Sequence, residues 1–395
     1  MLTQSQRDII KATIPLLETG GEALATHFYT IMLEGHPEVR PLFNQAHQSD
    51  GSQPRALANG VLMYARNIDR LENLGPLASQ IVNKHVALQI LPEHYPIVGA
   101  CLLRAIREVL GEEIATDEVI AAWAVAYQQL ADILINAEEA AYEKIEAASG
   151  GWRGGRLFRI ARKVPESSEI SSFYLEPVDG KPVIAHKPGQ YIGVRMHING
   201  TDLRRNYSLS APSSGFGLRI SVKREPGGVA SNHLHDQIRA GSVLELFPPS
   251  GDFTLIDSTK PLVLISGGVG ITATLAMAET ALEAGHRRVV FIHYARNAKA
   301  QAFQAVLRDW EQRFPLFTAN VVYNEAGGDS EPRPSAVGMP SMEHLKQWLP
   351  EDRDVEAYFL GPKPFMAFIK RALHELGVPD VQAHYEFFGP AQALA

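Results

Sequence analysis

Residues 263–272 have the sequence VLISGGVGIT, an unbroken apolar run followed by a glycine-rich turn. The uncharged run Pro261–Ala278 is long enough for a membrane helix, but Gly267, Gly268 and Gly270 interrupt it. The pattern therefore predicts a buried strand, a tight turn and the start of a helix, with no integral membrane segment. A diphosphate can approach the backbone of such a turn and lie at the positive helix N-terminus, although glycine turns also serve plain packing.

The same rhythm continues to the C-terminus. Apolar runs at Leu262–Ile265, Val289–His293, Thr318–Tyr323 and Ala357–Leu360 alternate with helical segments. Because alternation of this kind is typical of a parallel sheet flanked by helices, we predict an α/β domain over residues 257–395.

Upstream of this region the pattern changes to short β-rich runs separated by turn residues. They are Leu157–Ala161, Ile170–Leu175, Tyr191–Ile198 and Leu218–Val222. Such runs predict an antiparallel barrel or sandwich over residues 152–256.

The first 148 residues show helical signals instead. Thr3 with Gln6 resembles a capping box, and Gly35 with Pro37 ends a second helical segment. Glycine and proline become more frequent after the stretch Ser149–Trp152. We therefore predict an all-α domain over residues 1–148.

Composition limits what the chain can be. Its 395 residues suit two or three domains, since one domain averages about 150 residues. Cys101 is the only cysteine, which excludes an internal disulfide and an iron–sulfur cluster. Met1–Ile14 lacks the apolar core of a secretory signal, so we expect a cytoplasmic protein. Residues 1–150 carry a net charge of −9 and residues 151–395 carry +2, without a dense basic cluster, so nucleic acid is not an expected partner.

Two motifs of the β-rich region have the chemistry that a flavin requires. The sequence PGQY at residues 188–191 is followed by RNYS at residues 205–208. A flavin needs aromatic surface for its ring, hydrogen bonds to its polar edge and positive charge for its diphosphate. Taken alone, the tyrosines could equally be ordinary strand aromatics and Arg205 a solvated charge.

The order of motifs resembles that of the ferredoxin-NADP reductase-like superfamily over residues 152–395. The series is PGQY, R-x-Y-S, the glycine turn and EFFGP at residues 386–390. The resemblance implies that the first two bind FAD, that the turn binds the nicotinamide nucleotide and that the last lies near the flavin. The residues concerned are Tyr191, Arg205, Asn206, Tyr207 and Ser208, with Ser231 as a further FAD candidate; Gly268, Val269, Gly270, Ile271, Thr272 and Ala273; and Glu386, Phe387, Phe388, Gly389 and Pro390.

Three positions leave the details of nucleotide binding undecided. Ala273 replaces the proline common in that superfamily, and Leu360 replaces its common cysteine. Arg296, after the second strand of the α/β region, could meet a 2′-phosphate or be a solvated arginine. The sequence does not decide between NADH and NADPH.

A reductase must pass its electrons to an acceptor, which directs attention to the helical domain. On a predicted helix over Leu77–Ile90, Ile81, His85 and Leu88 share one face, so His85 points toward apolar surroundings. A lone histidine of this kind is often simply a satisfied core residue.

The wider pattern resembles a bacterial globin, and the whole chain resembles a flavohaemoglobin. The motifs are Phe28–Tyr29, Pro41–Phe43, Gln53 with Leu57, Lys84–His85 and Tyr95. The resemblance implies haem b as a third cofactor, with His85 as the iron ligand.

The same resemblance assigns roles around the haem. Tyr95 and Glu138 would form a hydrogen-bonded relay behind His85, although Glu138 taken alone, among Glu139 and Glu143, is better explained as a solvated charge. Tyr29 and Gln53 would bond the oxygen ligand, and Leu57 would close its pocket. The remaining assignments are Phe43, packed on the porphyrin, and Lys84, on the flavin-facing side.

The implied activity is that of a nitric oxide dioxygenase. It converts nitric oxide and O2 to nitrate with electrons from NADH or NADPH through FAD to haem, and we expect a monomer. One alternative is an oxygen carrier or sensor with an attached haem reductase. Another is a flavin reductase with a haem-free helical module.

Overall fold

The computed structural model of the protein describes residues 2–43, 51–325 and 333–388. The chain divides into two units. The first comprises the described residues up to Ala148 together with Asn199–Arg205, and the second comprises the other described residues.

The N-terminal region is helical. Thr3 forms the predicted capping box with Gln6, and the second helix ends at Gly35 as expected. Phe28, Met32, Ile106, Trp123 and Ala126 are buried in its core. The helices are α1 (Gln4–Ala12), α2 (Ile14–Gly35), α3 (Ser52–Arg66), α4 (Gly75–Leu88), α5 (His94–Leu110) and α6 (Asp117–Ala147), with 3₁₀ turns at Pro37–Leu42 and Leu71–Leu74.

Two features of these helices qualify the sequence analysis. The helix expected over Leu77–Ile90 ends earlier, because Gln89 adopts a left-handed conformation with φ of 58°. In the part of the chain that the structure describes, α6 is the one helix whose length and composition would allow it to cross a membrane. Trp123 and Ala126 of α6 pack in the core of the helical region.

The next region is a six-stranded sheet with the order β4-β3-β6-β1-β2-β5. The pairs β1–β2, β1–β6, β2–β5 and β3–β6 are antiparallel. A bridge between Leu209, directly after β4, and Ile220 in β5 joins the two ends of the sheet, which makes it a barrel. The strands are β1 (Arg156–Pro165), β2 (Ile170–Pro177), β3 (Tyr191–Ile198), β4 (Thr201–Ser208), β5 (Leu218–Lys223) and β6 (Val243–Leu246), and one helix, α7 (Val229–Asp236), precedes β6.

The C-terminal region is a parallel sheet with the order β10-β9-β8-β7-β11-β12. All six residues of β7 are buried, as its uncharged sequence predicts. The strands are β7 (Leu262–Gly267), β8 (Val289–Ala295), β9 (Phe317–Tyr323), β10 (Ala336–Val337), β11 (Glu356–Leu360) and β12 (Ala383–Tyr385), and the helices are α8 (Ile271–Ala284), α9 (Gln304–Arg313), α10 (Met342–Trp348) and α11 (Lys363–Glu375), with 3₁₀ turns at Gly268–Gly270 and Asp380–Gln382. The predicted succession of helical, antiparallel and parallel regions is confirmed.

Candidate functional site

Three helices of the N-terminal unit bring together His85, Tyr95 and Glu138. The imidazole Nδ1 of His85 lies 2.6 Å from Oε1 of Glu138 and 3.2 Å from the hydroxyl of Tyr95. That hydroxyl donates to the same carboxylate oxygen over 2.6 Å. The ring of Tyr95 meets the His85 ring edge-on, with centroids 6.2 Å apart. Oε1 of Glu138 therefore accepts hydrogen bonds from both His85 and Tyr95.

Burial gives this cluster its chemistry. Glu138 is only 2% exposed, so it is not the solvated charge that its acidic neighbours suggested. Burial, reinforced by the hydrogen bond to Glu138, raises the pKa of Tyr95, so its hydroxyl stays protonated and donates. Because the carboxylate holds the proton of His85 on Nδ1, Nε2 is the nitrogen that can bind a metal.

Tyr127 and Gly99 hold Tyr95 in place, and the sequence analysis missed both. The hydroxyl of Tyr127 donates to the backbone carbonyl of Tyr95 over 2.6 Å. A Cβ atom at Gly99 would lie 2.5 Å from the Tyr127 ring, so only glycine lets this ring lie against α5. The glycine inside an otherwise apolar helix was the available signal.

A second group of residues lies around Tyr29 on α2. Its hydroxyl is hydrogen-bonded to the side chain of Gln53 on α3, and burial raises its pKa. The Tyr29 ring packs edge-on against Phe43, with centroids 5.6 Å apart. Leu57, one turn after Gln53, packs against the same hydrophobic core. The structure thus places Gln53 and Phe43 against Tyr29 and packs Leu57 on the same core, while Lys84 directly precedes His85 on α4.

The flavin candidates lie on two strands of the barrel. The segment Arg205–Ser208 forms the second half of β4. Tyr191 begins β3 and exchanges backbone hydrogen bonds with Ser250. Arg205 and Tyr207 are half-buried and Asn206 is exposed, so this edge presents mixed polar and aromatic groups.

The turn before Tyr191 depends on Gly189. Its φ is +101°, and a Cβ atom there would lie 2.0 Å from the carbonyl oxygen of Phe253. The side chain of Gln190 accepts from the Lys187 amide and donates to the Gly251 carbonyl. These contacts fix the start of β3. Ser231, by contrast, accepts a hydrogen bond from the backbone of Glu225, which gives its hydroxyl a local structural partner.

The glycine turn after β7 combines close packing with an open backbone. A Cβ atom at Gly270 would lie 2.4 Å from the carbonyl oxygen of Leu360, so the turn is pressed against the end of β11. Gly268 has φ of +55°, and a Cβ atom there would meet no described atom within 4 Å. Thr272 donates from its hydroxyl to the carbonyl of Val269, and Ile271 and Ala273 are buried at the start of α8.

The C-terminal segment approaches the flavin candidates. The pKa of Tyr191 is raised chiefly by burial and further by the charge of Glu386. Phe387 packs against the core of the parallel sheet, whereas Phe388 is 48% exposed. Gly389 and Pro390 lie outside the described residues.

Comparison with known proteins identifies the family. Three family models match: Globin over residues 26–134, Oxidoreductase FAD-binding domain over 158–255 and Oxidoreductase NAD-binding domain over 264–371. A flavohemoprotein of Pseudomonas aeruginosa is 62% identical over 395 residues, and one of Pseudomonas putida is 63% identical over 394; both matches cover 100% of each chain. This chain belongs to the flavohaemoglobin family.

Solved structures agree with this assignment. The flavohaemoglobin of Malassezia yamatoensis, with bound FAD and haem, has a TM-score of 0.85 at 26% identity and covers 98% of this chain and 100% of its own. The FAD/NAD-binding domain of nitric oxide dioxygenase from Vibrio cholerae has a TM-score of 0.56 at 34% identity and covers 60% of this chain and 100% of its own. The chain is thus a globin coupled to an NAD(P)H-dependent oxidoreductase module, and its cofactors are haem, FAD and a nicotinamide nucleotide.

The residues of this flavohaemoglobin fit those cofactors. The contact of His85 Nδ1 with Glu138 leaves Nε2 as the nitrogen that can bind a metal, which suits a haem with one histidine ligand. The exposed backbone of Gly268 at the start of α8 suits a diphosphate. The exact domain boundaries and the assignment of each site residue stay predictions.

Proposed function

We propose that this flavohaemoglobin is a nitric oxide dioxygenase, which converts nitric oxide and O2 to nitrate with electrons from NADH or NADPH. The observation that carries the proposal is the hydrogen-bonded cluster in which the buried side chains of Tyr95 and Glu138 hold the half-buried imidazole of His85. The function named for the Vibrio cholerae protein supports it. The proposal includes a monomeric, cytoplasmic enzyme, and the buried thiol of Cys101 suits a reducing compartment.

When bound, haem would supply oxygen-binding and one-electron chemistry, and FAD would supply the coupling of hydride transfer to single-electron transfer. The chain supplies position, proton placement and protection from water.

On the proximal side, Glu138 would act on the iron through His85, the proposed ligand. Its carboxylate accepts the Nδ1 proton over 2.6 Å and so raises the basicity of Nε2. Tyr95 donates to the same oxygen and keeps the carboxylate aimed at His85. A more basic ligand nitrogen favours oxygen activation over oxygen storage.

On the distal side, Tyr29 offers a buried proton donor. Because burial raises its pKa, the hydroxyl keeps its proton at physiological pH. Gln53 orients this hydroxyl by a hydrogen bond, while Phe43 and Leu57 limit the access of water. These residues would thus present one oriented donor to a small ligand.

In the reductase unit, the backbone from Gly268 to Thr272 would hold the nucleotide diphosphate at the N-terminus of α8. Tyr191 and Arg205–Ser208 would hold FAD at the barrel edge. Lys84 would contribute at the flavin-facing side of the haem, and Phe388 beside the flavin.

The test is aerobic consumption of nitric oxide by the purified chain loaded with haem and FAD, with NADH as reductant. We expect rapid consumption by the wild type, a large loss in His85→Ala and an intermediate loss in Tyr29→Phe. Consumption no faster than that of His85→Ala would contradict the proposal. Slow oxygen release that nitric oxide does not accelerate would identify an oxygen carrier or sensor instead.

A further inference from the structure

Arg296 directly follows β8, the second strand of the first strand–helix–strand unit of the parallel sheet. The glycine turn lies after β7, and α8 connects the two strands, which pair in parallel. In doubly wound sheets the adenosine ribose of a dinucleotide lies at the end of this second strand. An acidic side chain there bonds the ribose 2′-hydroxyl, whereas an arginine accommodates a 2′-phosphate. The position of Arg296 alone would therefore favour NADPH.

The guanidinium of Arg296 is already engaged. It forms a hydrogen-bonded ion pair with the carboxylate of Glu169, on the turn between β1 and β2. The Glu169 side chain is 16% exposed and that of Arg296 is 66% exposed. The carboxylate thus approaches the guanidinium from the protein side.

The turn that carries Glu169 is fastened to the segment after β8. The backbone amide of Ser168 donates to the carbonyl of Lys299 over 2.8 Å, and the amide of Arg224 donates to the carbonyl of Glu169 over 2.7 Å. The hydroxyl of Ser167 accepts from the Glu169 amide. These hydrogen bonds fix the backbone of the turn that carries Glu169 relative to the segment after β8. The two side chains of the ion pair therefore extend from backbones that are already held together.

Further carboxylates surround Arg296. The charges of Glu325 and Glu225 also act on its guanidinium. Lys223, which also pairs with Glu169, over 3.9 Å, forms a closer pair with Glu225 over 2.9 Å. A 2′-phosphate here would compete with Glu169 for Arg296 and would meet two more negative charges.

We propose that Glu169 determines the nucleotide specificity of this chain by occupying Arg296, so that NADH is preferred to NADPH. A ribose 2′-hydroxyl carries no charge and needs no free guanidinium. A 2′-phosphate is negatively charged and needs one. This inference rests on the nicotinamide nucleotide binding of the family and not on the proposed reaction with nitric oxide.

The test compares two mononucleotide probes that differ only in the 2′-phosphate, AMP and adenosine 2′,5′-bisphosphate. Their binding to the chain loaded with haem and FAD is measured by titration calorimetry. In the wild type we expect the bisphosphate to bind no more tightly than AMP. In Glu169→Gln the affinity ratio should shift roughly tenfold toward the bisphosphate, as expected for one released charge-assisted contact.

Two further variants make the result specific. Glu166→Gln makes the same charge change on the same turn, and it should keep the wild-type ratio. Arg296→Gln should also keep the wild-type ratio within about twofold, because Glu169 already occupies the guanidinium. FAD reduction is measured in parallel, and the ratio of its rate with NADPH to its rate with NADH should rise in Glu169→Gln alone.

The proposal is overturned if the wild type already prefers the bisphosphate tenfold and Arg296→Gln removes that preference. It is equally overturned if well-folded Glu169→Gln keeps the wild-type ratio. The Arg296→Gln result decides the question even if Glu169→Gln does not fold. Neither result depends on nitric oxide consumption, so this proposal and the proposed function fail separately.

Discussion

Glu138 accepts two hydrogen bonds at a buried position, and its negative charge is what an amide cannot replace. We predict that Glu138→Gln lowers nitric oxide turnover by about 10- to 100-fold, as is typical when a partner of a metal-binding histidine is changed. The shape of the side chain is kept, so haem should still bind. Turnover per bound haem measures the effect, and Glu143→Gln, exposed on the same helix, is the control. Equal turnover in both variants would contradict this role of Glu138.

His293 is a second buried group whose charge state matters. Burial lowers its pKa to about 4 from an ordinary value of 6.5, and its Nδ1 is hydrogen-bonded to Ser266. Between pH 4 and pH 6.5, His293 binds a proton in the unfolded chain but not in the folded one. Its contribution to the free energy of unfolding is therefore fully present above pH 6.5 and is lost as the pH falls toward 4.

We therefore predict that the wild type loses about 2 kcal/mol more stability between pH 8 and pH 5 than His293→Gln does. Urea unfolding followed by FAD fluorescence at both pH values measures this difference. Other histidines with lowered pKa values, such as His186 and His235, remain in both proteins and cancel. Parallel losses in the two proteins would show that His293 does not titrate in this range.

Residue types and spacing predicted some of these groups and not others. His85 was assigned from its helix face and from family resemblance, and the structure places it beside Tyr95 and Glu138. The pairing of Glu169 with Arg296 joins residues 127 positions apart. No local pattern encodes such a contact, because it depends on how two strand ends meet in the folded unit.

At the scale of elements, length and periodicity decided what the sequence could predict. The strand expected over Tyr191–Ile198 is found with those bounds as β3. The strands β6 and β12 have only four and three residues, too few for a period to emerge. In β4 the polar sequence TDLRRNYS conceals a strand whose existence depends on pairing with its neighbours.

The packing of α5 against α6 provides a test at this scale. Alanine at Gly99 would push the Tyr127 ring away and weaken its hydrogen bond to Tyr95. We predict that Gly99→Ala destabilises the helical unit by about 1–3 kcal/mol. Gly20→Ala in α2, where a Cβ atom would meet no described atom within 4 Å, should instead stabilise it by about 0.5–1 kcal/mol. Thermal unfolding measures both, and changes of the same sign would contradict the packing argument.

At the scale of the whole molecule, two separately built units should give separable activities. The cluster around His85 belongs to the first unit, and the glycine turn belongs to the second. Reduction of ferricyanide by NADH needs only FAD and the nucleotide site, whereas nitric oxide consumption needs the haem as well. A change at the His85 cluster in the first unit should therefore affect nitric oxide consumption alone. A change at the glycine turn in the second unit should affect both activities.

We predict that His85→Ala abolishes nitric oxide consumption but keeps NADH-ferricyanide reduction close to the wild-type rate. Gly270→Ala should impair both activities, because its Cβ would lie 2.4 Å from the Leu360 carbonyl and displace the turn. An overpacking cost of about 1–3 kcal/mol, if lost from nucleotide binding, corresponds to a rise of roughly 5- to 150-fold in the KM for NADH. Steady-state assays of both reactions on each variant, with haem and FAD contents measured, make the comparison. If His85→Ala retains its full FAD content but loses ferricyanide reduction, the reductase activity depends on the haem. That result would contradict the separation of the two activities.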